Sequence, residues 1–262
     1  MSDETVINTN ASQIIQSLWI GGNLSTMEQL SAKSFIKWGH EYHLYTYGDV
    51  GNIPSGVVVR DANEILDQSE IFTYKNGSYS AFSNLFRFTL LEKRGGYWAD
   101  TDLICVRSMK ELDDKNIVLV TEPTTEYDGQ LPASCLIKLP RGSEIAKDGV
   151  RMQWEHKRQI LSGRLTWSSG PTTVKYLVGK YNLQDRLLDW HAVCSCSWRD
   201  AVSLVKPDKR FHKSVITRIE DIPQNMYCIH LWNEVWRRNR INKNDIFSEQ
   251  SLYEGLKRTI LE

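Results

Sequence analysis

Hydrophobic positions recur along the chain with two periods. Ile14 to Ile20 is a short, largely apolar run that ends abruptly at Gly21-Gly22, as a strand does. Ser25-Thr26-Met27-Glu28 then has the form of a capping box opening a helix. Met27, Leu30, Phe35 and Trp38 supply that helix's apolar face and Gly39 its stop. A strand at His43 to Tyr47 follows, then the turn-rich stretch Gly48 to Pro54, then a third strand at Val57-Val58-Val59. Strand, helix, strand at this spacing predicts a parallel α/β sheet. Ser80 to Arg94 is the clearest helix, stopped by Gly95-Gly96. Tyr97 to Val106 reads as one strand, followed by strands at Ile117 to Val120 and Cys135 to Leu139. A long amphipathic helix is expected over Ser143 to Ser162 and another over Thr172 to Tyr181, with Pro171 in its first turn. Tyr227 to Trp232 is the last strand, and the polar tail Arg237 to Glu262 reads as helical. No linker rich in Pro, Gly or Ser divides the chain, so one α/β domain is expected over residues 1–262.

Composition narrows the partners. The chain has 262 residues with 32 Lys+Arg and 32 Asp+Glu, and zero net charge argues against nucleic acid as the main partner. Five scattered cysteines with no Cys-x-x-Cys pair fit a reducing compartment better than a disulfide framework. Met1 to Gln13 is polar with two acids, unlike a leader peptide, and no run approaches the ~18 apolar residues of a membrane helix. A cytoplasmic protein, at most peripheral at the inner membrane, is expected.

Asp100-Thr101-Asp102 is the sharpest chemical feature. Strand side chains alternate between faces, so Asp100 and Asp102 point the same way while Thr101 points opposite. Two carboxylates side by side repel unless a cation joins them, and hard oxygen ligands suit Mg²⁺ or Mn²⁺. In the preceding helix, Ser80, Asn84 and Arg87 form one polar stripe at i, i+4 and i+7, flanked by Ser83. The other positions, from Ala81 to Leu91, are mostly apolar, so the helix is buried. A buried Arg87 needs an acceptor. Either it pairs with a core acid, or the stripe faces a polar ligand beside the Asp pair.

Ser83-Asn84-Leu85-Phe86-Arg87, Leu90-Leu91 and Gly95-Gly96-Tyr97-Trp98-Ala99-Asp100-Thr101-Asp102 together resemble the Asp-x-Asp block of the family 32 glycosyltransferases. That family includes α-1,4-galactosyltransferases and Och-type mannosyltransferases, and the glucosyltransferase domain of the large clostridial toxins has a similar block. Leu18-Trp19-Ile20-Gly21-Gly22 is similar to the family's first strand end, with weaker echoes at Gly170-Pro171 and Ile229-His230-Leu231-Trp232-Asn233.

The resemblance implies a GT-A fold, a Rossmann-like mixed sheet flanked by helices. It also implies a nucleotide-sugar donor (UDP-sugar favoured), Mn²⁺ or Mg²⁺, and retention of anomeric configuration. Residues 1–110 would then form the nucleotide-sugar half and residues 111–262 the acceptor half. Trp19 would stack on the base beside Gly21, or is a plain core tryptophan. Ser83, Asn84 and Arg87 would hold sugar or phosphate, Asp100 the ribose or a metal-bound water, and Asp102 the metal. His230 would be a further metal ligand, or is structural, with Asn233 assisting. Asn84 stands where the family usually has Asp, which keeps one acceptor but loses the charge.

The acceptor side has fewer signals. Trp167-Ser168-Ser169-Gly170-Pro171 reads as an acceptor-facing loop, with Ser169 and Gly170 as contacts, or as a helix entry. One of Asp49, Glu122 and Asp128, in loops after strands, is expected to line the donor or acceptor site. The basic run Arg237, Arg238, Arg240 and Lys243 is a solvated face, or a contact with an anionic membrane or a lipid-linked acceptor. An oligosaccharide or lipid-linked saccharide acceptor in bacterial surface-polysaccharide or lipooligosaccharide synthesis fits this set. A sugar nucleotidyltransferase and a catalytically inactive carbohydrate-binding protein are the alternatives. A zinc site at His191, Cys194 and Cys196 is a further one, lacking an obvious fourth ligand.

Overall fold

The computed structural model describes residues 13–207 and 212–262. The stretch Met1 to Gln13 lies, apart from Gln13, outside the described residues.

Among the described residues, nine strands and six α-helices follow in chain order: β1 (Ile15–Trp19), α1 (Thr26–Lys37), β2 (Tyr42–Thr46), β3 (Val57–Asp61), α2 (Ser80–Arg94), β4 (Gly96–Ala99), β5 (Leu103–Cys105), β6 (Val118–Pro123), β7 (Gln130–Leu139), α3 (Glu144–Leu161), α4 (Ser169–Tyr181), β8 (Leu187–Leu188), β9 (Cys228–His230), α5 (Asn233–Arg238) and α6 (Leu252–Ile260). Seven strands form one mixed sheet in the order β3-β2-β1-β4-β7-β6-β8, and β5 pairs with β9 in a separate two-stranded ladder. Strands β1 to β4 are parallel, and β7 runs antiparallel between β4 and β6. This is the mixed α/β sheet flanked by helices that the GT-A expectation implies.

Alternation along the strands sorts two cores. Ile15, Tyr42, Leu44, Tyr97 and Ala99 face a core shared with α1 and the β5–β9 ladder. Leu18, Tyr45 and Trp98 face the other, shared with α2, α3 and α4. The capping box at α1 is present, Ser25 receiving the Met27 N–H while Glu28 reaches back to the Ser25 N–H. Helix α2 occupies the span expected, ended by Gly95, whose φ of 69° needs glycine.

One expected element is overturned. The strand read across Tyr97 to Val106 is two strands in two sheets, broken by a turn at Asp100–Asp102 that the Leu103 N–H closes onto the Asp100 carbonyl at 3.0 Å. The carboxylates therefore converge through a turn, not through strand alternation. The tail is also not one helix: α5 and α6 are separated by a loop. No helix among the described residues is long and apolar enough to cross a membrane.

Candidate active site

The C-terminal ends of β1, β4 and β6 lie along one edge of the main sheet, because these three strands point the same way. They carry Trp19, Asp100 and Glu122 in that order. Ligands of open α/β sheets gather at this edge. A cleft of 730 Å³ opens there, and all three residues line it with Asn84, Arg87, Asp102, His230 and Asn233.

Helix α2 fixes one wall. Arg87 is 3% exposed and its Nη2 donates to Asp100 Oδ1 at 2.5 Å, while Nη1 donates to Asn84 Oδ1 at 2.8 Å. The guanidinium lies 4.9 Å from the centre of the Trp98 ring, and Trp98 Nε1 also donates to Asp100 Oδ1, at 2.7 Å. Arg87 thus has a carboxylate partner, and that partner faces the cleft. Asn84 uses both ends of its amide, its Nδ2 donating to Ser169 Oγ at 2.9 Å, where the Tyr74 hydroxyl also donates at 2.9 Å. An Asp at position 84 could not donate to Ser169. Ser83 lines the same wall.

The β5–β9 ladder fixes the opposite wall by setting Leu103 against His230. His230 Nε2 lies 3.4 Å from Asp102 Oδ2, which also accepts the Asn233 N–H at 2.8 Å. Trp232, in the left-handed region at φ 59°, packs its ring 4.1 Å from that of His230. Among the described residues His230 Nδ1, which is buried, has no hydrogen-bond partner. One ligand atom from each of Asp100, Asp102 and His230 lies within 4.8 Å of the others.

The electrostatics follow from this crowding. Burial pushes the Asp100 carboxyl up; Arg87 opposes the shift and Asp102 reinforces it. Burial also acts upward on Asp102, but His230 and the Asn233 N–H outweigh it and hold Asp102 below the usual carboxylate range. Burial acts downward on the His230 imidazole, and the neighbouring Asp102, Asp100 and Glu122 outweigh it, so its pKa is raised. Burial raises Glu122. Two carboxylates and one imidazole with converging lone pairs fit a hard to borderline divalent cation such as Mn²⁺ or Mg²⁺.

Trp19 sits at the base of this wall, its Nε1 donating to the Gly22 carbonyl at 3.1 Å and its ring 5.5 Å from Lys243 Nζ. Gly21, at φ +149°, lies against that indole: a Cβ there would stand 3.5 Å from Nε1.

Several expected positions fall elsewhere. Ser169 and Gly170, expected to face an acceptor, are buried beneath Asn84, and a Cβ on Gly170 would come 2.5 Å from Asn84 Oδ1. The same loop reaches the cleft through Trp167, Ser168 and Pro171. Asp49 and Asp128 are exposed and outside the cleft, leaving Glu122 as the one of that trio in it. The basic run is engaged within the molecule: Arg237 and Arg238 pair with Glu234 and line the cleft, and Lys243 pairs with Glu28. His191 does not join Cys194 and Cys196 in a ligand cluster; it is paired with Asp189 while both cysteines are buried. Trp198, 46% exposed at the cleft, had no signal in the sequence beyond its being a tryptophan.

Residues 9–119 match the family model described as "Glycosyltransferase sugar-binding region containing DXD motif". The match covers the Asp-x-Asp block and supports sugar transfer in general. No curated protein matches the chain. Among solved structures, the chain is similar to "PaToxG Glycosyltransferase" at 16% identity and TM-score 0.48, over 66% of this chain and 72% of that one. It is also similar to the glycosyltransferase GlyE of Streptococcus pneumoniae TIGR4 at 10% identity and TM-score 0.46, over 95% of this chain and 65% of that one.

Proposed function

Taking residues 9–119 as a glycosyltransferase sugar-binding region with its DXD motif, we propose that the protein moves a hexosyl group from a nucleotide-sugar donor, UDP-linked, to a saccharide acceptor with retention of configuration, using Mn²⁺ or Mg²⁺. The observation that carries this reading is the convergence of Asp100, Asp102 and His230 in the cleft. Arg87 compensates one carboxylate, so the site holds an excess of negative charge and of lone pairs that a divalent cation would satisfy. Bound there, the metal would neutralise charge growing on the diphosphate leaving group.

The rest falls to this chain's own groups. Trp19 offers its ring to the base at the β1 end of the cleft. Ser83, Asn84 and Arg87 hold the sugar hydroxyls from α2, with Arg87 fixed by Asp100 so that its direction is set before substrate arrives. The Asn233 backbone N–H keeps the Asp102 carboxylate turned toward the metal position. In this reading the first 110 residues carry the donor and the remainder the acceptor.

A panel of UDP- and GDP-sugars with Mn²⁺, scored by thermal shift and by slow donor hydrolysis, tests the proposal against Asp102→Ala. One donor that stabilises the wild type and is hydrolysed, with both effects lost in the variant, supports it. No response to any donor, wild type and variant alike, overturns it.

A further inference from the structure

The cleft extends past the metal cluster. Along the sheet edge the order is β1, β4, β7, β6, so Trp19, the Asp100–Asp102 turn and Glu122 stand in sequence from one side to the other. At Leu119/Val120 the β6–β7 register jumps from Leu119↔Ile137 to Val120↔Ala133. Such a bulge re-aims the strand end beside a site. Val118 and Val120 face the core shared with the β5–β9 ladder, and strand alternation puts Glu122 on that same face, the face of His230.

Glu122 is a half-buried carboxylate with no hydrogen-bond or ion-pair partner among the described residues, and it lines an open cleft. Its carboxylate oxygens are thus open to accept from the hydroxyls of a ligand in the cleft. Trp198 lines the same cleft and is 46% exposed, its ring approached by the Arg199 guanidinium at 5.8 Å and otherwise open. It opens the short 3-10 segment Trp198–Leu204, whose Ala201 and Leu204 are anchored in the core on the His230 face. A flat exposed ring and a carboxylate in one cleft suit a pyranose: the ring packs on the apolar C–H face, and the carboxylate accepts from hydroxyls.

We infer that Glu122 and Trp198 form the subsite for the acceptor, and that the acceptor presents a pyranose ring there. This assignment rests on the glycosyl-transfer reading above. Base, diphosphate and acceptor then run along the sheet edge from β1 through β4 to β6.

Saturation-transfer NMR with methyl α- and β-hexopyranosides, in the presence of UDP and Mn²⁺, tests it on wild type, Glu122→Gln and Trp198→Ala. The expected result is a glycoside that binds the wild type and is weakened at least tenfold in each variant, with UDP affinity changed less than twofold. Glycoside binding unchanged in both variants, or absent from the wild type while UDP binds, overturns the acceptor assignment alone. Failure of UDP to bind the wild type overturns the glycosyl-transfer reading and this assignment with it.

Discussion

The Arg87 guanidinium and the Asp100 carboxylate form a contact that joins the core to the cleft. Arg87 is 3% exposed, whereas the Asp100 side chain is 25% exposed, so one partner is held by α2 and the other faces the cleft. Removing the buried cation leaves Asp100 beside Asp102 with only His230 to compensate them. Arg87→Met should cost about 3 kcal/mol, the lower end for breaking a buried pair because Asp100 retains some water. Arg87→Lys should recover part of the stability but little donor hydrolysis, since one ammonium cannot reproduce the fork that reaches Asn84 and Asp100 together. Urea denaturation and hydrolysis assays on the two variants check both statements.

Two glycines on neighbouring helices separate stability from activity. A Cβ on Gly149 of α3 would stand 2.3 Å from Phe88 Cδ1, inside the α2–α3 contact, where a fully buried ring has no room to yield. A Cβ on Gly170 would press on Asn84 Oδ1 and Ser134 Oγ, side-chain ends that can move. Gly149→Ala should therefore be the more destabilising, by about 1–3 kcal/mol for overpacking. Gly170→Ala should leave stability nearer wild type but lower donor hydrolysis, because Asn84 shifts off Arg87. Equal activity loss in the two variants, once corrected for folded fraction, would contradict this.

How much of this was legible beforehand depended on where the determining contacts lay. Local signals were read well: the Ser25–Glu28 capping box and the Gly95-Gly96 stop are set by residues a few positions apart. The Asp-x-Asp block also pointed to two carboxylates that the fold brings together with His230. What failed was their geometry. Tyr97 to Val106 has the apolar content of one strand, and only the pairing of β5 with β9, more than a hundred residues away, breaks it at Asp100–Asp102. Ser169 and Gly170 look like a polar loop in sequence, but small size is what lets them pack under Asn84. Glu122 could not be told from Asp49 or Asp128 without knowing which strand ends share an edge.

Divalent metal should stabilise the protein through the Asp100–Asp102–His230 cluster. At a concentration near 100 times its dissociation constant, Mn²⁺ is expected to add about 2.7 kcal/mol. Asp102→Asn keeps a carbonyl oxygen for the Asn233 N–H, so the fold should persist while the metal-dependent shift disappears. Calorimetric scans with Mn²⁺ and with EDTA distinguish the two; a shift of equal size in the variant would place the ion elsewhere.

Acid sensitivity should have a contribution remote from the cleft, at His40. Its Nε2 accepts the Met109 N–H at 3.0 Å, so the folded protein requires the neutral ring. Burial lowers its pKa below the ordinary 6.5; Asp113 opposes the shift and Lys110 adds to it. Because the unfolded chain binds a proton here more readily, the stability this residue contributes is complete above pH 6.5 and declines as pH falls toward the lowered folded value. His40→Gln retains an acceptor of similar reach without titrating. Between pH 7 and pH 5 its unfolding free energy should fall less steeply than that of the wild type, by no more than the ~1.4 kcal/mol per pH unit that a single proton allows. Parallel slopes for the two proteins would remove His40 from the account and shift attention to His156, whose pKa burial also lowers.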